Sequence, residues 1–249
     1  MPIPNRLDRA FQPGRPALIC YFPIGDPETS GADPDLYLSE GVDVLEVGVP
    51  TPHPSLDGPV VANSMRRAMA SGITNERACE LIRGFRAGPG HPAAVWLSYA
   101  ASARQPGFTE AVSASEADGL LVLGDAPAGV HKSIDTHAVG FLPHSPTNEQ
   151  IASAGEATGY IMLAASEGVS GTLDGVASTS AASLSRLRDA GIRVPIALGF
   201  GITNGSQARR AIQFGADGIV VGTAVLNASM QGPQALRRLL RELRQALDE

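Results

Sequence analysis

The chain has 249 residues, 43% of them hydrophobic, with few aromatics, 28 glycines and a formal net charge of -6. That length and composition suit a globular protein with a sizeable core, built as one large α/β domain or two small ones. The acidic balance, with no basic stripe, argues against nucleic acid as a partner. No apolar run reaches the length of a bilayer span, and MPIPNRLDRAF at the start carries no apolar signal segment, so the expected setting is cytoplasmic, with no membrane partner.

In chain order, residues Arg6 to Phe11 suggest a short leading helix and Ala17 to Phe22 (ALICYF) a buried strand, stopped by Gly25-Asp26-Pro27. Asp35 to Gly41 reads as helix. Val44 to Val49 reads as a second strand, and the helical spacings of Val60 to Ala70 and Asn75 to Phe85 follow it. Ala93 to Leu97 is a third strand and Gly107 to Ser115 a helix; Gly119 to Leu123 (GLLVL) is a fourth strand. The twelve residues from Ala126 to His137 leave room for a short helix at most before a fifth strand, Ala138 to Leu142. Thr147 caps a helix running to Ala157, and a sixth strand spans Tyr160 to Ala164. Glu167 to Ser180, rich in Gly, Ser and Thr, reads as a mobile loop. Ala181 to Ala190 is helix, Val194 to Leu198 strand, Gln207 to Phe214 helix, Gly218 to Val221 strand and Pro233 to Leu247 a long amphipathic helix. Eight strands, each followed by helix or loop in about 250 residues, give the pattern of a single-domain TIM (β/α)8 barrel. No low-complexity linker divides the chain.

Two features carry chemistry. The first is Asp43 to Pro59, DVLEVGVPTPHPSLDGP. Glu46 interrupts an otherwise apolar strand, which is costly unless the carboxylate is paired, solvated at a cavity or functional. Two readings stand for it: a structural acid paired with a basic residue inside the barrel, or a group used in catalysis. Asp57 lies eleven positions on, in a loop stiffened by Pro50, Pro52, Pro54 and Pro59. It either braces that loop or joins Glu46 at the end of the barrel where such folds bind ligands. The second feature is the pair of glycine turns after the last two strands, Gly199 to Thr203 (GFGIT) and Gly222 to Ala224 (GTA). They either make tight βα turns or cradle an anion with backbone N–H groups, and their place after strands seven and eight favours phosphate. Asp26 and Asp125 read as turn residues and His53 as a solvated loop histidine. The remaining histidines and Cys20 and Cys79 show no metal-ligand spacing, so no metal is expected.

At these residues, and over nearly its whole length, the chain resembles the tryptophan synthase alpha subunit family. The segments that carry the likeness are YFPIGDP (Tyr21 to Pro27), DVLEVGVPTPHPSLDGP, YIMLAASEGVSG (Tyr160 to Gly171), GFGIT and GIVVGT (Gly218 to Thr223). The resemblance implies a barrel that cleaves indole-3-glycerol phosphate to indole and glyceraldehyde 3-phosphate by a retro-aldol reaction, without a cofactor of its own. It implies that Glu46 is the proton-shuttling acid/base and that Asp57 accepts a hydrogen bond from the indole N–H. It also implies that Phe22, Leu97, Tyr99 and Tyr160 surround the indole ring and that Gly171, Gly201, Gly222 and Thr223 bind phosphate. The Glu167 to Ser180 loop would close over substrate. A beta subunit is the partner the family implies, but the loop that faces it reads Thr51-Pro52-His53 where the family usually has Phe-Ser-Asp. Met162 replaces a common pocket tyrosine, and Ser166 and Glu167 stand where a basic residue is common. These departures leave open a standalone indole-releasing lyase, a weakly active regulatory subunit, and a barrel that handles another phosphosugar.

Overall fold

The structure is a computed structural model, and it describes residues 5–29, 33–85, 90–167 and 179–249. Eight parallel strands close into a barrel in sequence order: β1 (Ala17–Pro23), β2 (Val44–Gly48), β3 (Ala93–Tyr99), β4 (Gly119–Leu123), β5 (His137–Leu142), β6 (Ile161–Ala164), β7 (Ile196–Gly199) and β8 (Gly218–Val221), with β8 pairing β1. Around it run α1 (Leu7–Ala10), α2 (Pro34–Ser39), α3 (Pro59–Ala70), α4 (Asn75–Phe85), α5 (Ala100–Ala103), α6 (Phe108–Ser115), α7 (Asn148–Ala154), α8 (Ser180–Asp189), α9 (Gly205–Gln213), α10 (Thr223–Met230) and α11 (Pro233–Asp248). This is the TIM barrel expected from the alternation of elements. Among the described residues, no helix is long and apolar enough to cross a membrane.

Strand residues alternate between two apolar layers. Ile19, Tyr21, Val44, Val95, Leu97, Leu121, Met162 and Val220 fill the barrel interior, while Leu18, Phe22, Leu45, Val47, Trp96, Leu163 and Leu198 meet the surrounding helices. Both faces are buried because helices cover a parallel sheet from outside, so these strands read as unbroken apolar runs. Glu46 shares the parity of Val44 and lies opposite Tyr21 and Val95 in the register, on the inward-facing side of β2. Thr147 caps α7 in a reciprocal box with Gln150, as its position suggests, although the helix stops at Ala154.

One expectation is met and two differences from the sequence reading have physical causes. The β4–β5 crossover holds only a 3-10 turn, Val130–Ser133, so its shortness did exclude a full α-helix. α10 is a full helix, although the sequence reading stopped at Gly222-Thr223. Val225, Leu226, Ala228 and Ser229 are all buried, which leaves little polar face to reveal a helical period. α5 is a single turn, too short to leave a pattern. Most of the loop expected over Glu167 to Ser180 lies outside the described residues.

Candidate active site

A cavity of about 230 Å³ opens between the C-terminal ends of the strands. Glu46, Asp57 and Leu97 line one side, with Gly201, Gly222 and Thr223 on the turns after β7 and β8. Six of the residues singled out from sequence therefore meet around one space.

Glu46 is 2% exposed. Its Oε1 accepts a 2.5 Å hydrogen bond from the Tyr160 hydroxyl. Burial pushes its pKa up to about 7; the Tyr160 hydrogen bond works against that rise, and the nearby Asp57 charge adds to it. No basic group is among these influences, so the reading of Glu46 as an ion-paired structural acid has no support here. Asp57 stands just before α3, whose N-cap is Gly58 and whose first residue is Pro59, and accepts a 2.6 Å hydrogen bond from the Tyr99 hydroxyl. Burial, followed by the Asp57 charge, raises the Tyr99 pKa and keeps the phenol a donor.

Tyr99 and Tyr160 thus hold the two acids rather than forming the cavity wall. Phe22 is elsewhere: its ring packs on Tyr37 and Phe85, centroids 5.5 and 5.0 Å apart, in the outer layer. Its neighbour Tyr21 faces inward and lines the cavity in its place. The apolar run ALICYFP hides which parity points inward, but Glu46 could have decided it through the β1–β2 register. Tyr21 owes its seat to Gly48, since a Cβ built there would fall 2.3 Å from the Tyr21 hydroxyl oxygen. Leu123, Met162, Phe200 and Val220 complete the apolar wall, and Asn227 stands at its edge.

The opposite side is made of turns. Phe200 has φ 63° and Gly201 φ 94°, so two consecutive residues are left-handed where β7 gives way to its loop. For Phe200 that conformation is strained, and its ring is held by a 5.7 Å contact with Phe141. Gly222 caps α10, and the buried Thr223 Oγ1 has no hydrogen-bond partner among the described residues. The α10 N-terminus and its free N–H groups suit an anion. No Lys, Arg or His is among the described residues that line the cavity. Gly171 lies outside the described residues. Among the described residues, no three His, Cys, Asp or Glu side chains are grouped to hold a metal ion.

Asp26 stands outside this cavity lining, at the end of β1. It accepts two hydrogen bonds from Arg67, at 2.8 and 2.6 Å, and one from the Glu28 N–H, so its part in the GDP turn is structural. His53 is exposed.

The tryptophan synthase alpha chain family matches residues 7–248. A tryptophan synthase alpha chain from Synechococcus elongatus is 33% identical over 94% of this chain and 92% of its own length. One from Laribacter hongkongensis is 32% identical over 99% and 98%. Among solved structures, tryptophan synthase from Mycobacterium tuberculosis aligns with a TM-score of 0.83 at 25% identity, covering 98% of this chain and 97% of the other. The tryptophan synthase alpha subunit of Legionella pneumophila gives 0.82 at 25%, covering 99% of each. The chain belongs to the tryptophan synthase alpha chain family, with a role in tryptophan biosynthesis.

Proposed function

We propose that this protein is a carbon–carbon lyase that cleaves indole-3-glycerol phosphate to indole and glyceraldehyde 3-phosphate. The observation that carries the reading is the pair of carboxylates in one apolar cavity, each held by a tyrosine hydroxyl, facing turns built for an anion. The reaction breaks the bond between indole C3 and the first glycerol carbon. Protonation of C3 leaves positive charge on the ring nitrogen, and Asp57 accepts the N–H and stabilises that charge. Removal of the glycerol hydroxyl proton then turns that carbon into an aldehyde, and the electron pair of the broken bond returns to the ring. Glu46 gives the first proton and takes the second, so no co-reactant is consumed. A pKa of about 7 populates both of its forms near neutral pH, as such a shuttle requires. Leu97, Tyr21 and Met162 enclose the ring, while Gly201, Gly222, Thr223 and Gly171 take the phosphate. The setting is cytoplasmic.

A beta subunit is the expected partner. One observation favours independent action: Pro52 and His53, in the loop that would meet that subunit, are exposed and depart from the usual pattern. Both readings are tested by incubating the chain with indole-3-glycerol phosphate, with and without a tryptophan synthase beta subunit, and measuring indole or tryptophan. Release boosted by the beta subunit supports the two-subunit role, and release indifferent to it supports a standalone lyase. No release in either case overturns the reaction.

A further inference from the structure

Among the described residues, the lining of the cavity includes two carboxylates and no Lys, Arg or His. An anionic group bound there is then met, among these residues, by neutral donors alone, and the count of those donors sets affinity. Thr223 opens α10 at its first position and Asn227 follows four residues later. Residues at i and i+4 share a helix face, and side chains lean toward the helix N-terminus. Asn227 therefore reaches back over the turn that begins at Thr223, and it lines the same cavity. It is exposed at the mouth, and no hydrogen bond to its amide is present among the described residues. That amide carries two N–H donors with no other use.

We propose that Asn227 is a substrate-contacting, specificity-determining residue whose amide donates to the anionic group held at the α10 N-terminus. The inference rests on the proposed reaction only in taking that group to be the phosphate of the substrate. A neutral amide there adds a directional donor without a positive charge that would attract the carboxylates of Glu46 and Asp57 across the cavity.

The test is calorimetric titration of the full chain with glycerol 3-phosphate and, separately, with indole. Asn227→Ala is expected to weaken glycerol 3-phosphate about three- to tenfold, the usual net worth of one hydrogen bond. Indole affinity and thermal midpoint should stay unchanged, and in turnover the loss should fall on KM rather than kcat. Asn227→Asp should weaken glycerol 3-phosphate by about tenfold or more, since it removes the donors and adds repulsion. An alanine variant that binds glycerol 3-phosphate as tightly as the wild type overturns the inference, even if the aspartate variant binds poorly, because a carboxylate also acts through space. A wild-type chain that binds neither glycerol 3-phosphate nor inorganic phosphate overturns the inference together with the phosphate site. A wild-type chain that binds glycerol 3-phosphate but releases no indole overturns the reaction alone, and the Asn227 comparison then still decides the contact.

Discussion

At the N-terminal end of the barrel, Asp43, Asp118 and Asp217 each stand one residue ahead of a strand, β2, β4 and β8. Each turns one oxygen onto the backbone of the neighbouring strand, accepting from the N–H of Leu18, Ala94 and Ile196 at 2.9, 2.9 and 2.7 Å. Arginines brace Asp43 and Asp217: Arg15 at 2.5 Å and Arg244 at 3.2 Å on Asp43, and Arg188 on Asp217. At the C-terminal end, Glu46 and Asp57 take tyrosine hydroxyls instead. Asp26 lies at the C-terminal end but follows the other rule. It is 5% exposed, close to the 2% of Glu46. Burial would raise its pKa, but hydrogen bonds from Arg67, Ser64 and the Glu28 N–H outweigh that effect and hold it below its ordinary value. Glu46 lies the deeper of the two, and depth and partner together give opposite shifts. A guanidinium neutralises a carboxylate, whereas a phenol supplies one hydrogen bond and leaves the charge uncompensated. The arginine-braced groups fix the barrel, and the tyrosine-held group can exchange a proton.

Glu46→Gln strikes this contrast hardest. It removes the proton shuttle, so indole release should fall about 10²- to 10⁴-fold, the usual worth of general acid–base catalysis. The same change should stabilise the fold in alkali. Below pH of about 4.5, Glu46 is protonated in both the folded and unfolded states and costs nothing. Between about 4.5 and 7 the unfolded state has released the proton while the folded state holds it, so the wild type loses stability relative to the variant across that window. The gap should approach about 3 kcal/mol above neutrality. Denaturant melts at pH 5 and pH 9 measure it, and a gap that fails to grow with pH would mean that Glu46 is charge-compensated after all.

Asp118→Ala probes the other end. It removes the carboxylate that accepts from the buried Ala94 N–H, at a cost of about 1–3 kcal/mol. The denaturant midpoint should fall while kcat and KM at 25 °C stay as they were. A matching loss of kcat would show that the two ends are not separable.

Much of this contrast was legible in the chain. A carboxylate inside VLEVG is conspicuous because everything around it is apolar, and DGP before a helix marks a loop acid. The glycine turns after the last strands announced their position. What stayed hidden depends on long-range pairing. The tyrosines that hold the acids lie 114 and 42 residues away, and Arg244 braces Asp43 from 201 residues away, separations that no local pattern encodes. Phe22 and Tyr21 are both aromatic in a strand apolar at every position, so only the register separates wall from outer layer.

Gly48→Ala tests that assignment. The new methyl would occupy the place of the Tyr21 ring tip, and the ring, which lines the cavity, would have to shift. Indole should bind about tenfold more weakly, within the usual 1–3 kcal/mol for overpacking. In a Tyr21→Leu background the same alanine should cost little. Equal losses in both backgrounds would remove Tyr21 from the wall.

Tyr160→Phe makes the smallest change and bears most directly on the comparison. Phenylalanine keeps the ring, and with it the contact to Phe11 at 5.4 Å, so the barrel interior should hold. It removes only the hydroxyl, the one hydrogen bond that lowers the Glu46 pKa against burial and the Asp57 charge. With that bond gone, the Glu46 pKa should rise further above its ordinary value. The alkaline pH–rate limb, set by loss of the Glu46 proton, should then move up, by about 0.7 unit for a bond worth about 1 kcal/mol. Indole release should persist to higher pH than in the wild type, because Glu46 keeps the proton that goes first to indole C3. Tyr99→Phe, which changes only the partner of Asp57, should leave that limb nearly in place. If the Tyr160 limb stayed still or moved down, the phenol would not be setting the charge of Glu46, and the division between arginine-braced and tyrosine-held carboxylates would lose its chemical basis.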